Sequence, residues 1–310
     1  MQTLDELFNA LSPQRVLMTG GTGFIGRMLA QQLVQTGHSV TVLARDPFRA
    51  GKNGISGVNY VGSLAQLDTD SAFDAVISLA GAPVAGPRWT AARKAVLLGS
   101  RINTARAVLE WLERAPARPA VWIQASAIGF YGVQEASQRL AEHSAAGHDF
   151  ASQLCAQVEA AAAAASALGM RVVSLRFGIV LGHGGALPAL TLPIRWFVGG
   201  RMGDGRQMIS WIHQHDVMAL FARVLADPGL QGPINAVAPQ AMDQAGFVRA
   251  AAGVLRRPLW LHLPASLLRV MLGEMAQLFV GGQHVVPEKL TQAGFVFRYP
   301  TLQQALADLL

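Results

Sequence analysis

Apolar residues in this chain fall into short runs separated by stretches of helical periodicity, and the alternation begins near the N-terminus. Val16-Leu17-Met18 leads into Thr19-Gly20-Gly21-Thr22-Gly23-Phe24-Ile25-Gly26, after which Ile25, Met28, Leu29 and Leu33 recur on one helix face. Ser39-Val40-Thr41-Val42-Leu43 follows, so the opening reads as a strand, a glycine turn, a helix over Phe24 to Gln35 and a second strand. Further runs at Val58 to Val61, Ala75 to Ala80, Ala120 to Ala125 and Val172 to Phe177 have the continuous apolarity of strands buried on both faces. Helices over about 90–115 and 149–168 separate them. This order predicts an α/β protein with a Rossmann-type, doubly wound parallel sheet.

After Phe177 the chain becomes rich in glycine and proline, which predicts a smaller, discontinuous C-terminal substrate lobe at 179–205 and 229–310. Ile209 to Ile212 reads as a strand and Val217 to Ala226 as a helix, so 206–228 is expected to return to the nucleotide-binding body of 15–178. Residues 1–14 form an extension whose Leu4, Leu7, Phe8 and Leu11 fall at helical spacing, as in a helix packed on that body.

Composition narrows the partners. The net charge is +6 and 51% of the residues are hydrophobic, but the arginines are scattered along the chain, which argues against nucleic acid. The richest apolar stretches are interrupted by Arg176, Arg195, Arg269 or Glu274, so neither a span nor a membrane partner is expected. Met1 to Arg15 carries Asp5 and Glu6 without a basic start, unlike a secretory or transit peptide. The one cysteine, Cys155, excludes an internal disulfide and suits the reducing cytoplasm. A small molecule of unknown identity is the expected substrate, and the oligomeric state is open.

The glycine turn carries the first chemistry. Gly20 suits a tight turn, Gly23 lets backbone N–H groups approach a pyrophosphate, and Gly26 lets the helix pack closely. Thr22, Phe24 and Ile25 then stand at a helix N-terminus that faces an anion. At the tip of the second strand an acidic residue would hold a ribose 2′-hydroxyl, whereas Arg45 stands there, which favours NADP over NAD. Asp46, before Pro47, suits a helix cap. The small residues of Leu79-Ala80-Gly81 leave room for a ribose at a strand end, and Ser126 follows another strand into the same crevice.

Thr19 to Gly26, Leu79-Ala80-Gly81, Ser126 to Gly132 and Ser210-Trp211-Ile212-His213 together resemble an extended-type short-chain dehydrogenase/reductase. Arg88-Trp89-Thr90, Ser100-Arg101, Asp149-Phe150, Gly203 to Gln207 and Gly294-Phe295 resemble its atypical "epimerase family" branch, the NAD-dependent epimerase/dehydratase-like proteins of bacteria and human. The resemblance runs from Arg15 to Leu310. In the wider superfamily a serine holds the substrate carbonyl and a tyrosine transfers a proton. A lysine four residues on lowers the tyrosine pKa, and an asparagine lies nearby. The resemblance matches Ser126 to the serine and puts Ala151, Cys155 and Arg101 where tyrosine, lysine and asparagine are expected.

A neutral thiol supplies neither the fixed charge nor the three donors of a lysine, so Cys155 reads as a small apolar helix residue. Arg101 brings a permanent charge for a cofactor phosphate or ribose, or for a substrate carboxylate. Tyr131 is either a replacement proton donor or a packing residue of its loop, and Val180 either borders the nicotinamide or packs. Glu142 reads as a solvated loop carboxylate. His213, His215 and Asp216 suggest a metal, but Asp216 suits the cap of a helix starting at Val217, so no metal is assigned. The expected activity is NADP-dependent hydride transfer, of oxidoreductase or epimerase type, without the tyrosine-lysine pair. The alternative is an NADP(H)-binding sensor or scaffold with little or no turnover.

Overall fold

Seven apolar runs pair into one sheet in the computed structural model, which describes residues 2–68 and 71–310. The strands are β1 (Arg15–Thr19), β2 (Ser39–Leu43), β3 (Val58–Val61), β4 (Ala75–Ser78), β5 (Val121–Ala127), β6 (Arg171–Phe177) and β7 (Gly232–Ala236). Their order is β7-β6-β5-β4-β1-β2-β3, with every neighbouring pair parallel. The order reverses between β1 and β4, where ligands of such sheets collect at the carboxyl ends.

Side chains of one strand alternate between the two layers. Val16 and Met18 pack with Leu29 and Leu33 of α2 (Phe24–Gln35), whereas Leu17 packs with Val108 and Leu112 of the long helix Ala91–Arg114 on the other face. The N-terminal helix α1 (Leu4–Asn9) is closed by a capping box between Thr3 and Glu6, and its Phe8 is fully buried in the first of these layers.

Three features differ from the sequence pattern. Gly232–Ala236, assigned there to the lobe, is instead the edge strand β7 beside β6. It begins with glycine and Pro233, and an edge position is where a strand tolerates a residue without an N–H. The run Ile209 to Ile212 is divided between two short strands, Met208–Ile209 and Trp211–His213, in separate two-stranded sheets. The following helix, Gln214–Ala226, returns to the sheet as expected but is capped by His213, whose Nδ1 accepts from His215 N at 3.1 Å. Asp216 does not cap it. The buried Asp216 carboxylate accepts from the N–H groups of Arg298 (2.7 Å) and Tyr299 (3.1 Å), fastening a distant segment. Among the described residues no helix is long and apolar enough to cross a membrane.

If α1 is docked as part of this core, Phe8→Ala should lower the unfolding free energy by about 3 kcal/mol in a denaturant titration. An unchanged midpoint would mean that the helix is not held there.

Candidate functional site

The turn after β1 is packed backbone on backbone. Gly20 has φ +72°, and a β-carbon on it would lie 2.6 Å from Leu79 C and Ala80 N at the end of β4. One on Gly26 would lie 2.3 Å from Gly20 O, so α2 starts directly against the turn. Thr19 completes the junction: its O accepts from Leu79 N (3.0 Å) and its Oγ1 from Ala80 N (3.3 Å). Gly23 is the N-cap of α2 and supplies no side chain to its N–H groups, and Thr22 and Gly23 are exposed. These free N–H groups and the helix dipole make the turn suitable for an anion. Ile25 packs inward, while the Phe24 ring is enclosed by the loop after β6, where β-carbons on Gly182, Gly184 or Gly185 would fall within 2.8 Å of it. Those glycines read in the sequence only as loop texture.

At the tip of β2, Thr22, Arg27, Arg45, Arg49, Asn53 and Tyr60 border a cleft of about 570 Å³. Arg45 is exposed there and in no ion pair among the described residues. Asp46 accepts from Arg49 N at 3.0 Å and caps the short helix Pro47–Lys52, as its place before proline suggests. Arg27 and Arg49 were not legible as site residues, because they meet Arg45 only once three elements have folded together.

Arg101 reaches the end of β4. It donates from Nη2 to Ala82 O and from Nη1 to Leu97 O, each at 3.0 Å, and a β-carbon on Gly81 would lie 2.6 Å from its Cζ. Ser100 Oγ accepts from Ala82 N at 3.0 Å, so this dipeptide holds the loop that follows β4. Leu79, Ala80, Gly81 and Arg101 are thereby brought together beside the glycine turn. Val180 lies beyond β6 on the strand Ile179–Leu181, paired with Ile212, and packs partly on the core.

Ser126 is the last residue but one of β5, and the turn after the strand faces the first part of the helix Phe150–Ala163. A β-carbon on Gly129 would lie 3.4 Å from Ala151 Cβ and 3.7 Å from Cys155 Sγ. Burial pushes the Cys155 thiol up to about 11, so it keeps its proton at neutral pH.

Beneath Ser126 lies a network of charges that the sequence did not suggest. Ser126 Oγ donates to Glu159 Oε1 at 2.6 Å, and Arg176 grips the same carboxylate through Nε (2.9 Å) and Nη2 (2.8 Å). The available signal was the presence of Arg176 inside an apolar strand run, since a buried charge requires a partner. Tyr131 belongs to this network and not to an open crevice. It is fully buried, donates to Asn235 Oδ1 at 2.7 Å and accepts from Arg176 Nη1 at 2.9 Å, with burial raising its pKa. Its phenol is thus engaged on both sides by buried groups, as the packing alternative expects. Glu142 is not solvated either: it is buried and accepts from Asn235 N (3.0 Å) and Lys289 N (3.3 Å).

His213 lies apart from these groups. Its ring stacks on Tyr299 at 3.8 Å, and Nε2 is 3.3 Å from Asp308 Oδ2, within ion-pair range but poorly aligned for a hydrogen bond. Burial pushes its pKa down to about 4. Among the described residues no three His, Cys, Asp or Glu side chains are grouped to hold a metal.

Residues 16–236 match the NAD dependent epimerase/dehydratase family, and residues 263–309 match a domain of unknown function, DUF1731. Epimerase family protein YfhF of Bacillus subtilis (strain 168) is 36% identical over 296 residues, 95% of this chain and 97% of that protein. The chloroplastic epimerase family protein SDR39U1 homolog of Arabidopsis thaliana is 34% identical, covering 96% of this chain and 87% of its own length. The crystal structure of human epimerase family protein SDR39U1 (isoform2) with NADPH superimposes with a TM-score of 0.84 at 30% identity, over 95% of this chain and 98% of that one.

The neutral, buried His213 makes stability pH-dependent. Below its ordinary pKa of 6.5 the unfolded chain takes up a proton that the native state refuses until about pH 4. Stability present above pH 6.5 should therefore fall by about 2 kcal/mol between pH 7 and 5. In urea titrations His213→Gln should flatten that slope, and an identical slope in the variant would remove His213 as its source.

Proposed function

The chain belongs to the NAD dependent epimerase/dehydratase family, and on that premise we propose that it binds NADP(H) and transfers hydride to or from a small carbonyl or alcohol at Ser126. The observation that carries the cofactor choice is the cleft at the tip of β2. Arg27, Arg45 and Arg49 border it, while the carboxylate on its rim, Asp46, is engaged in capping. Guanidinium forks suit a 2′-phosphate and leave a bare ribose 2′-hydroxyl without its acidic partner. The NADPH in the human relative's structure supports the same choice. Thr22, Gly23 and the first N–H groups of α2 would hold the pyrophosphate, with Leu79, Ala80 and Gly81 against the adjoining ribose and Val180 toward the nicotinamide end. Arg101 adds a fixed cation for a phosphate, a ribose or a substrate carboxylate. A lone buried thiol suits the cytoplasmic setting included in this proposal.

When bound, the cofactor supplies or accepts the hydride. The chain handles the substrate oxygen without a tyrosine-lysine pair, because Ala151 has no proton to give and Cys155 keeps its own. Ser126 directs its hydroxyl proton to Glu159, so in oxidation its oxygen would take the substrate hydroxyl proton as its own passes to Glu159, and carbonyl reduction would return both protons along the same path. Arg176 keeps Glu159 in place through two bonds. The same two replacements support a second reading, an NADP(H)-binding sensor or scaffold with little turnover.

Arg45→Asp is expected to weaken NADPH at least about tenfold in a fluorescence titration while changing NADH little, since one charge-assisted contact to phosphate is lost. Equal losses for both nucleotides would reject the 2′-phosphate role. Incubated with 4-deuterated NADPH and a panel of carbonyl compounds, the wild type should pass deuterium to product, and Ser126→Ala should do so at least about tenfold more slowly. Tight NADPH binding with no transfer to any compound favours the sensor reading.

A further inference from the structure

The C-terminal lobe presents a surface that the nucleotide site does not use. The helix Leu187–Arg195 runs into Trp196-Phe197-Val198, and the strand Gly200–Met202 then pairs in parallel with Leu261–Leu263. This pairing sets the two segments side by side. Trp260 N donates to Gly199 O at 3.3 Å, and the Arg257 guanidinium lies 4.6 Å from the centre of the Phe197 ring. Trp196 is 71% exposed and Trp260 73%, whereas Trp89, Trp122 and Trp211 are buried. Phe197 has φ +62°, an unfavourable conformation for an aromatic residue, and its ring is exposed. All three residues of Leu261–Leu263 are exposed, and the strand leads into the helix Ala265–Leu272. Leu268 of that helix faces the protein, while Leu267, Val270 and Met271 face solvent.

Charge identifies what suits this surface. Residues 186–203 and 255–273 contain Arg195, Arg201, Arg256, Arg257 and Arg269 and neither Asp nor Glu. All five arginines are exposed, and none is in an ion pair among the described residues. The flanking carboxylate Glu274 is taken by Lys94 at 2.6 Å, and Asp204 accepts from Arg206 N at 3.0 Å. A second copy docked through the same face would oppose two sets of five arginines with no carboxylate between them. An anionic bilayer surface accommodates both halves: indole, phenyl and leucine side chains enter the headgroup boundary while guanidinium groups remain with the phosphates.

We propose that Trp196–Val198, Leu259–Leu263 and the helix Ala265–Leu272 seat the protein peripherally on membranes that carry anionic lipid, in keeping with the lack of a spanning helix among the described residues. The sequence pattern argues against a membrane partner because it reveals spans and charge runs, whereas this face joins two distant segments.

The test uses the full chain with vesicles of phosphatidylcholine alone or mixed with phosphatidylglycerol. The protein should sediment with the mixed vesicles at low salt, release as salt rises, and shift its tryptophan emission to the blue as Trp196 and Trp260 leave water. Trp196→Ser with Trp260→Ser, and separately Arg201→Glu with Arg257→Glu, should each weaken binding at least about tenfold while keeping the wild-type unfolding midpoint. Failure of the wild type to bind mixed vesicles at low salt overturns the proposal whatever the variants do. So does equal binding to both vesicle types, or binding that survives both double variants. Self-association by light scattering that the tryptophan variant abolishes, without vesicle binding, assigns the face to a second copy instead.

Discussion

A β-carbon at Gly26 would strike the Gly20 carbonyl, and one at Gly20 would strike the end of β4. This contact of bare backbone brings the turn after β1 and the start of α2 directly against the end of β4, at the point where strand order reverses. The N-terminus of α2 is thereby aimed across the end of β4, and the loop after β4 lies where Ser100 and Arg101 can hold it. The tip of β2, one strand away, falls beside Thr22 and Arg27. The proposed pyrophosphate, ribose and 2′-phosphate positions thus depend on one junction that only glycine allows.

The substrate side depends on a different balance. Ala151 and Cys155 leave an apolar, uncharged wall opposite Gly129, and burial holds the thiol neutral. Charge sits one layer lower, where Arg176 joins Glu159, Tyr131 and the Glu142 carbonyl in a partly enclosed network. Such a network is costly to break, because removing one partner leaves another buried and unpaired. Ser126 connects the two layers, since its hydroxyl is bonded to Glu159. At the proposed substrate site an oxygen would therefore meet a serine whose proton is directed inward.

The sheet was legible where strands are buried on both faces, since β1, β4, β5 and β6 are near-continuous apolar runs, and in β2, where Val40 and Val42 alternate inward. β7 was not: Gly232 and Pro233 hide an edge strand that only its pairing with β6 reveals. Arg45 was legible because one strand tip defines its place, whereas Arg27 and Arg49 join it from two helices. Tyr131 stays open in the sequence between donor and packing residue, and Glu142 reads wrongly as solvated, for a related reason. Each stands in a short polar or mixed segment, and Asn235 and Lys289, which bury and bond them, come from distant parts of the chain. Asp216 looked like a local cap, but its partners Arg298 and Tyr299 are also remote. Local patterns located elements and strand ends, while buried polar partners required the tertiary fold.

NADP(H) is proposed to lie across this junction with its reactive end at Ser126. A crystal structure grown with NADPH tests it most directly. The 2′-phosphate is expected among Arg27, Arg45 and Arg49, the pyrophosphate at the N-terminus of α2, and nicotinamide C4 facing a space bordered by Ser126. A 2′-phosphate in open solvent, or a nicotinamide turned away from Ser126, would contradict it.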